Sequence, residues 1–277
     1  MDGIVAIVTG GARGLGRAMV RGLARAGARV VAAAHIEADM GALEADARGL
    51  AGRVQPVLAD LRRPAACDAV VAAAERAFGA PQVLVNNAGL TFTTITPDKF
   101  RRPDVQRFYE VDDDVIQRVM DTNYVAADQM ARRVAPRFVK QGWGRIINVT
   151  TMLETMHRAG SSPYGPSKAA LEMASEIWAK DLAGTGVTVN VLNPGGGANT
   201  PGMAEERREA SRTGTLPKLV EPDEMVPPLL WLVSRAADAV TGWRFDANRW
   251  DPARSVDANV ARSGRPAGFE LRAAAPT

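Results

Sequence analysis

Two side chains able to move a proton stand four residues apart in the segment YGPSK: Tyr164 and Lys168. A phenol ionises near ~10 in water, so a tyrosine is a poor base at neutral pH until a nearby cation favours the phenolate. Residues i and i+4 share one face of a helix, which puts the Lys168 ammonium beside the Tyr164 phenol. A tyrosine tuned in this way suits general acid–base work on an oxygen that gains or loses a proton. A second chemical signal lies near the start, in TGGARGLG, where Gly10, Gly14 and Gly16 fall between an apolar run and a helix-like stretch. Glycine permits positive φ and close backbone approach, and a helix that begins there offers unpaired N–H donors to a pyrophosphate. The spacing GxxxGxG differs from GxGxxG, and its position at a strand end is what gives it weight.

These residues need a frame to hold them. Short apolar runs recur at 4–8 (IVAIV), 29–34 (RVVAAA), 54–59 (VQPVLA), 83–85 (VLV), 145–149 (RIINV) and 187–192 (VTVNVL), with helix-like stretches between them. Strands that are apolar on both faces belong to a parallel sheet covered by helices on each side. The pattern predicts an α/β fold: a doubly wound, mostly parallel seven-stranded sheet with helices on both faces. Helices are expected at 14–26, 64–78, 113–140 and 222–236, and the last strand at 240–245. No internal repeat or Gly/Ser linker divides the chain, so residues 1–250 read as one dinucleotide-binding and catalytic domain and 251–277 as a polar C-terminal arm. The stretch 90–113 mixes turn formers with aromatics and reads as a pocket flap, with Phe92, Phe100, Phe108 and Tyr109 able to line an apolar substrate.

Composition narrows the function classes. The 277 residues are 46% hydrophobic and 23% charged, which is the range of globular proteins with a sizeable core. Net charge is 34 − 31 = +3, and the arginines are scattered in runs no longer than two, a poor footprint for a nucleic-acid partner. A single cysteine, Cys67, forms no intrachain disulfide and no thiolate zinc site, and it reads as a packed residue rather than a nucleophile. The opening apolar run is too short for a signal core or a membrane span, so a cytoplasmic protein without membrane association is expected. His157 reads as a loop or pocket-wall residue.

The second strand bears on the dinucleotide's ribose. Where a free 2′-hydroxyl would call for an acidic residue about 20 positions after the glycines, this chain has Ala34 followed by His35. With no carboxylate to repel a 2′-phosphate, and Arg13 in the glycine turn able to pair with one, NADP is favoured and NAD stays possible.

Further motifs fall in register: NNAG at 86–89 after the fourth strand, YGPSK on a helix, and NPG at 193–195 after the sixth strand. The set resembles the short-chain dehydrogenase/reductase family in its compact form, over residues 4 to about 246. The resemblance implies an NAD(P)-dependent oxidoreductase, with NADPH-linked reduction of a ketone to a secondary alcohol or the reverse. Tyr164 would be the acid/base and Lys168 its electrostatic tuner and ribose contact. Thr151, thirteen residues before the tyrosine where relatives usually carry serine, would polarise the carbonyl, with Thr150 as a possible substitute. Asn123 would organise a relay to the lysine. Cofactor contacts would come from Gly10, Arg13, Gly14, Leu15, Gly16 and His35, from Asp60 and Leu61, from Asn87, Ala88 and Gly89, and from Pro194, Gly195 and Gly197. Thr200 lies one residue later than the family's usual threonine. The family also implies a small-molecule carbonyl or alcohol substrate and a homo-oligomer, tetramer or dimer. Alternatives are an NADP-binding sensor or scaffold without turnover, and an NAD-dependent sugar or steroid alcohol dehydrogenase. The chain departs from the family in its long span between Asn86 and Asn123 and in the ending GWRFDANRWD.

Overall fold

A computed structural model describes residues 1–97 and 104–269. The first strand, β1 (Val5–Thr9), runs through the middle of the sheet because both of its faces are apolar. Ala6 and Val8 pack with Met19, Leu23 and Leu229 on one side, and Val5 and Ile7 with Val70, Met130 and Phe138 on the other. Helix α1 (Gly14–Arg25) returns the chain to β2 (Arg29–Ala34), and α2 (Met40–Ala47) leads to the edge strand β3 (Arg53–Leu58). Helix α3 (Pro64–Phe78) then crosses back to β4 (Val83–Asn86), which pairs with the other side of β1. This reversal of direction opens a crevice beyond the C-terminal ends of β1 and β4, where ligands bind in such sheets.

The chain continues through α4 (Phe92–Ile95), α5 (Asp113–Met120), a π-type turn at 121–125 and α6 (Ala126–Gln141) to β5 (Gly144–Val149). Helices α7 (Leu153–His157) and α8 (Tyr164–Asp181) precede β6 (Val187–Asn193). Then come α9 (Glu205–Arg212), α10 (Val226–Leu232), β7 (Trp243–Asp246), α11 (Val256–Ser263) and β8 (Gly264–Pro266). The sheet order is β3-β2-β1-β4-β5-β6-β7-β8, parallel throughout except for the antiparallel pair β7–β8.

The sheet therefore has eight strands rather than seven, because the C-terminal segment turns back and adds one. Its Val260 packs on the same core as Phe245 and Trp250, so this segment buries apolar surface that its polar composition did not announce. The helix expected at 222–236 is shorter and broken. A 3-10 turn at Pro222–Met225 precedes α10, a second follows at Arg235–Ala237, and Pro227 and Pro228 sit in the first turn of α10, where missing N–H groups cost nothing. The helix expected over 113–140 is continuous but bulged at its middle, and the strand expected at 240–245 begins at Trp243 and is followed by β8. Among the described residues no helix is long and apolar enough to cross a membrane.

Candidate active site

The floor of the crevice is built by the turn between β1 and α1. Gly10 has φ +63°, a conformation other residues rarely adopt, and a Cβ on Gly16 would lie 2.1 Å from the Gly10 carbonyl oxygen. Only glycine at position 16 lets the helix start this close to the strand end. Among the described residues no side chain caps α1, and its first turn holds no acidic residue, so its leading N–H groups keep their capacity to bind an anion. Two side chains fasten this turn to the end of β4. The Thr9 hydroxyl accepts the backbone N–H groups of Asn87 (2.9 Å) and Ala88 (3.0 Å), and the Asn87 amide donates to the carbonyls of Thr9 (2.9 Å) and Gly10 (3.1 Å).

Above this floor lies a cleft of about 900 Å³. Tyr164 and Lys168 enter it from the first turns of α8, and Thr151 from the loop after β5. The Thr151 side chain acts on the Tyr164 hydroxyl and both line the cleft, so the thirteen-residue offset does bring two hydroxyls to one place. Burial raises the phenol above its ordinary value, and the Thr151 side chain opposes that shift. The expected lowering by Lys168 is not present in the chain by itself. Lys168 is buried too, which brings its ammonium down to about 8, and its Nζ donates to the Val149 carbonyl at 2.8 Å. Thr150 points elsewhere: its hydroxyl donates to Glu172 Oε2 at 3.0 Å, which leaves Thr151 as the hydroxyl beside the tyrosine. The ring of Phe92 leans on that of Tyr164, with centroids 4.9 Å apart and planes at 49°.

Asn123 sits fully buried in the π-type turn. Its Oδ1 accepts the Leu90 N–H at 2.7 Å, and its Nδ2 donates to the Leu90 carbonyl (3.1 Å) and to Ser167 Oγ (3.0 Å). It thus holds the backbone just past the NNAG segment, next to Gly89. A Cβ on Gly89 would lie 3.3 Å from Asn123 Oδ1 and 3.4 Å from Lys168 Nζ.

Of the expected cofactor contacts, Gly10, Arg13, Gly14, Leu15 and His35 line the cleft on one side. Asn87, Ala88 and Gly89 line its middle, with Pro194, Gly197 and Thr200 opposite. Gly16, Asp60, Leu61, Asn123 and Gly195 do not line the cleft, and the Asp60 carboxylate is engaged by Arg62 at 2.7 Å. Phe108 and Tyr109 are 72% exposed and face away, and His157 is also exposed. Phe100 lies outside the described residues. Cys67 is buried, and burial pushes its thiol pKa up, as befits a packed residue. One cleft residue escaped the sequence reading: Asp39, on the 3-10 turn after β2, whose carboxylate comes within 3.8 Å of the Arg13 guanidinium.

Over residues 4–211 the sequence matches the short chain dehydrogenase family. The chain belongs to that family. A 3-oxoacyl-(acyl-carrier-protein) reductase of Thermotoga maritima is 30% identical over 247 residues, 87% of this chain and 95% of the reductase. A chloroplastic NADPH-dependent aldehyde reductase of Arabidopsis thaliana is 32% identical over 264 residues, 90% of this chain and 93% of the relative. Among solved structures, an actinorhodin polyketide ketoreductase variant with NADPH superposes with a TM-score of 0.72 at 28% identity, covering 86% of this chain and 93% of that one. As a short-chain dehydrogenase, the protein is an NAD(P)-dependent oxidoreductase acting on alcohol or carbonyl groups. The residues present fit such a dinucleotide: an uncapped helix start, a turn that only glycine can make, and a buried ammonium at the cleft wall.

Proposed function

We propose that the protein interconverts a ketone and a secondary alcohol with NADP(H), using Tyr164, Thr151, Lys168 and Asn123. The meeting of Tyr164 and Thr151 in the cleft, beside Lys168, carries this reading, because it gathers two hydroxyls at one place. A carbonyl oxygen placed there accepts a hydrogen bond from each. In reduction the Tyr164 O–H gives its proton to that oxygen, and Thr151 polarises the C=O bond. When bound, the nicotinamide ring supplies the hydrogen and electron pair that the carbonyl carbon gains. Lys168, one helical turn from the tyrosine, offers its remaining N–H donors to the ribose and its charge to the phenolate. Asn123 fixes the Leu90 backbone and, through Ser167, the first turns of α8, the relay position assigned to it. The test is a carbonyl panel followed at the NADPH absorbance, with wild type and Tyr164→Phe. The substitution is expected to cost about 10²- to 10⁴-fold in turnover while cofactor affinity stays within about twofold of wild type. Unchanged turnover in the variant refutes the assignment, and a wild type that binds NADPH but turns over no carbonyl supports the sensor alternative.

NADP preference is supported by the missing strand-end carboxylate and by Arg13, half exposed and held at only 3.8 Å by Asp39. The same Asp39 favours a second reading, in which its carboxylate receives the ribose hydroxyls of NAD. Arg13→Ala and Asp39→Asn decide between them. Under the first reading Arg13→Ala raises KM for NADPH about tenfold and spares NADH. Under the second, Asp39→Asn weakens NADH and improves NADPH. One catalytic domain, whose sheet includes β8, acting as a homo-oligomer on a small-molecule substrate in the cytoplasm, completes the proposal.

A further inference from the structure

Behind the Thr150–Thr151 segment lies a buried ion pair that the proposed chemistry does not use. Arg244, on β7, is 2% exposed and Glu172, on α8, is 0% exposed; Arg244 Nη1 donates to Glu172 Oε2 at 2.9 Å. The other arm of the guanidinium, Nη2, donates to the Thr151 carbonyl oxygen at 2.9 Å. Glu172 Oε2 also receives the Thr150 hydroxyl at 3.0 Å. A helical residue and a strand residue, 72 positions apart, thus hold both threonines at once. The reach is unusual. Strand β6 lies between β5 and β7, so Arg244 spans two strand spacings, roughly 10 Å, to touch the second residue past β5.

Stability does not account for this arrangement. Two charges taken out of water cost more than their attraction returns unless every polar atom is satisfied, and apolar pairs of similar volume do as well or better. Here Glu172 Oε1 finds no hydrogen-bond partner among the described residues, so the pair is incompletely satisfied. What an apolar pair cannot do is grip a backbone carbonyl. The planar fork of arginine serves two acceptors in fixed directions, which a lysine ammonium does not. A second link extends the grip. Arg244 Nη2 lies 3.6 Å from Asp246 Oδ1, which accepts the Asn193 amide at 2.6 Å, and Asn193 Oδ1 accepts the Gly195 N–H at 2.8 Å. The loop after β6 is therefore fixed from the same point.

We propose that Arg244 and Glu172 are positioning residues: they fix the Thr150–Thr151 backbone so that the Thr151 hydroxyl stands where it meets the Tyr164 phenol. The inference rests on the role given above to Thr151, and its effect on turnover is argued through that residue. The test is a double-mutant cycle of Arg244→Met and Thr151→Ala, read in two ways. The first readout is kcat on whichever carbonyl the wild type reduces. Arg244→Met is expected to lower kcat about 100-fold, the cost of a misplaced reacting group, with KM for cofactor changed less than about twofold, and to add almost nothing in the Thr151→Ala background. The second readout needs no substrate: the Cζ chemical shift of Tyr164 by NMR of ring-labelled protein, assigned with Tyr164→Phe. Loss of the Thr151 hydroxyl from beside the phenol moves this signal, and Arg244→Met is expected to move it as far as Thr151→Ala does, with no further change in the double variant. If no carbonyl is turned over, the assignment of the reaction fails while the NMR cycle still decides the positioning role. Should the methionine variant not fold, Arg244→Lys, which keeps the charge and loses the fork, carries the same cycle. Wild-type kcat and Tyr164 signal in the arginine variant, or effects that add in full, overturn the proposal.

Discussion

Lys168 is the residue whose chemistry depends most on its surroundings. Burial alone brings its ammonium from 10.5 down to about 8. Below pH 8 it is protonated in folded and unfolded chain alike, and the fold bears the full cost of a buried charge. Between about 8 and 10.5 the unfolded chain holds a proton that the folded one has released, so stability rises with pH across that window. The melting temperature of wild type should therefore gain on that of Lys168→Met between pH 8 and 10.5, as differential scanning calorimetry of the two would show. A bound dinucleotide that prefers the charged lysine reverses the sense for affinity, which weakens above pH 8. At this scale the sequence was legible where spacing within one helix sufficed: Tyr164 and Lys168 share a face because both lie on α8. It misled about the acidity of the phenol, because burial depends on chain segments remote from YGPSK. Asp39 and Glu172 were illegible for a related reason. One reaches the cleft by the direction of a short turn, the other by meeting an arginine from a distant strand.

At the level of elements, the strand-to-helix turn at 9–16 decides whether the cleft exists. A methyl group at position 16 would collide with the Gly10 carbonyl, which is backbone and cannot rotate away. Gly16→Ala is expected to cost about 1–3 kcal/mol of stability and to weaken dinucleotide binding at least tenfold, measured by thermal melts and by fluorescence titration with NADPH. A variant that binds as wild type does would show that the turn yields at no cost. Most strands could be read directly, because a short β-branched run that is apolar on both faces suits a buried parallel strand and little else: RVVAAA is β2 to the residue. The π-type turn at 121–125 was not visible. Its cause is tertiary, since Asn123 turns inward to bond the Leu90 backbone and Ser167, and an insertion of this kind adds no periodicity to detect.

For the molecule as a whole, the C-terminal segment matters more than its composition suggests. Residues 264–266 pair with β7 and lie against the ring of Phe245, while Val260 packs on the same core. A chain ending at Arg249 would bare the ladder groups of β7 and part of Phe245. A loss of about 1–3 kcal/mol follows from the uncovered apolar surface, and edge-to-edge association from the open strand. Calorimetry and light scattering of the truncated protein would register both, and an unaltered melting temperature would show that the segment is dispensable. Polar tails rarely add strands, so composition alone points to an arm. The doubly wound sheet, by contrast, followed from strand composition alone. At the cleft floor, Asn87 and Thr9 bolt two neighbouring strand ends together by four hydrogen bonds. Their rigidity is settled when the chain folds, so an arriving guest meets a preorganised seat and forfeits little extra conformational entropy from its host.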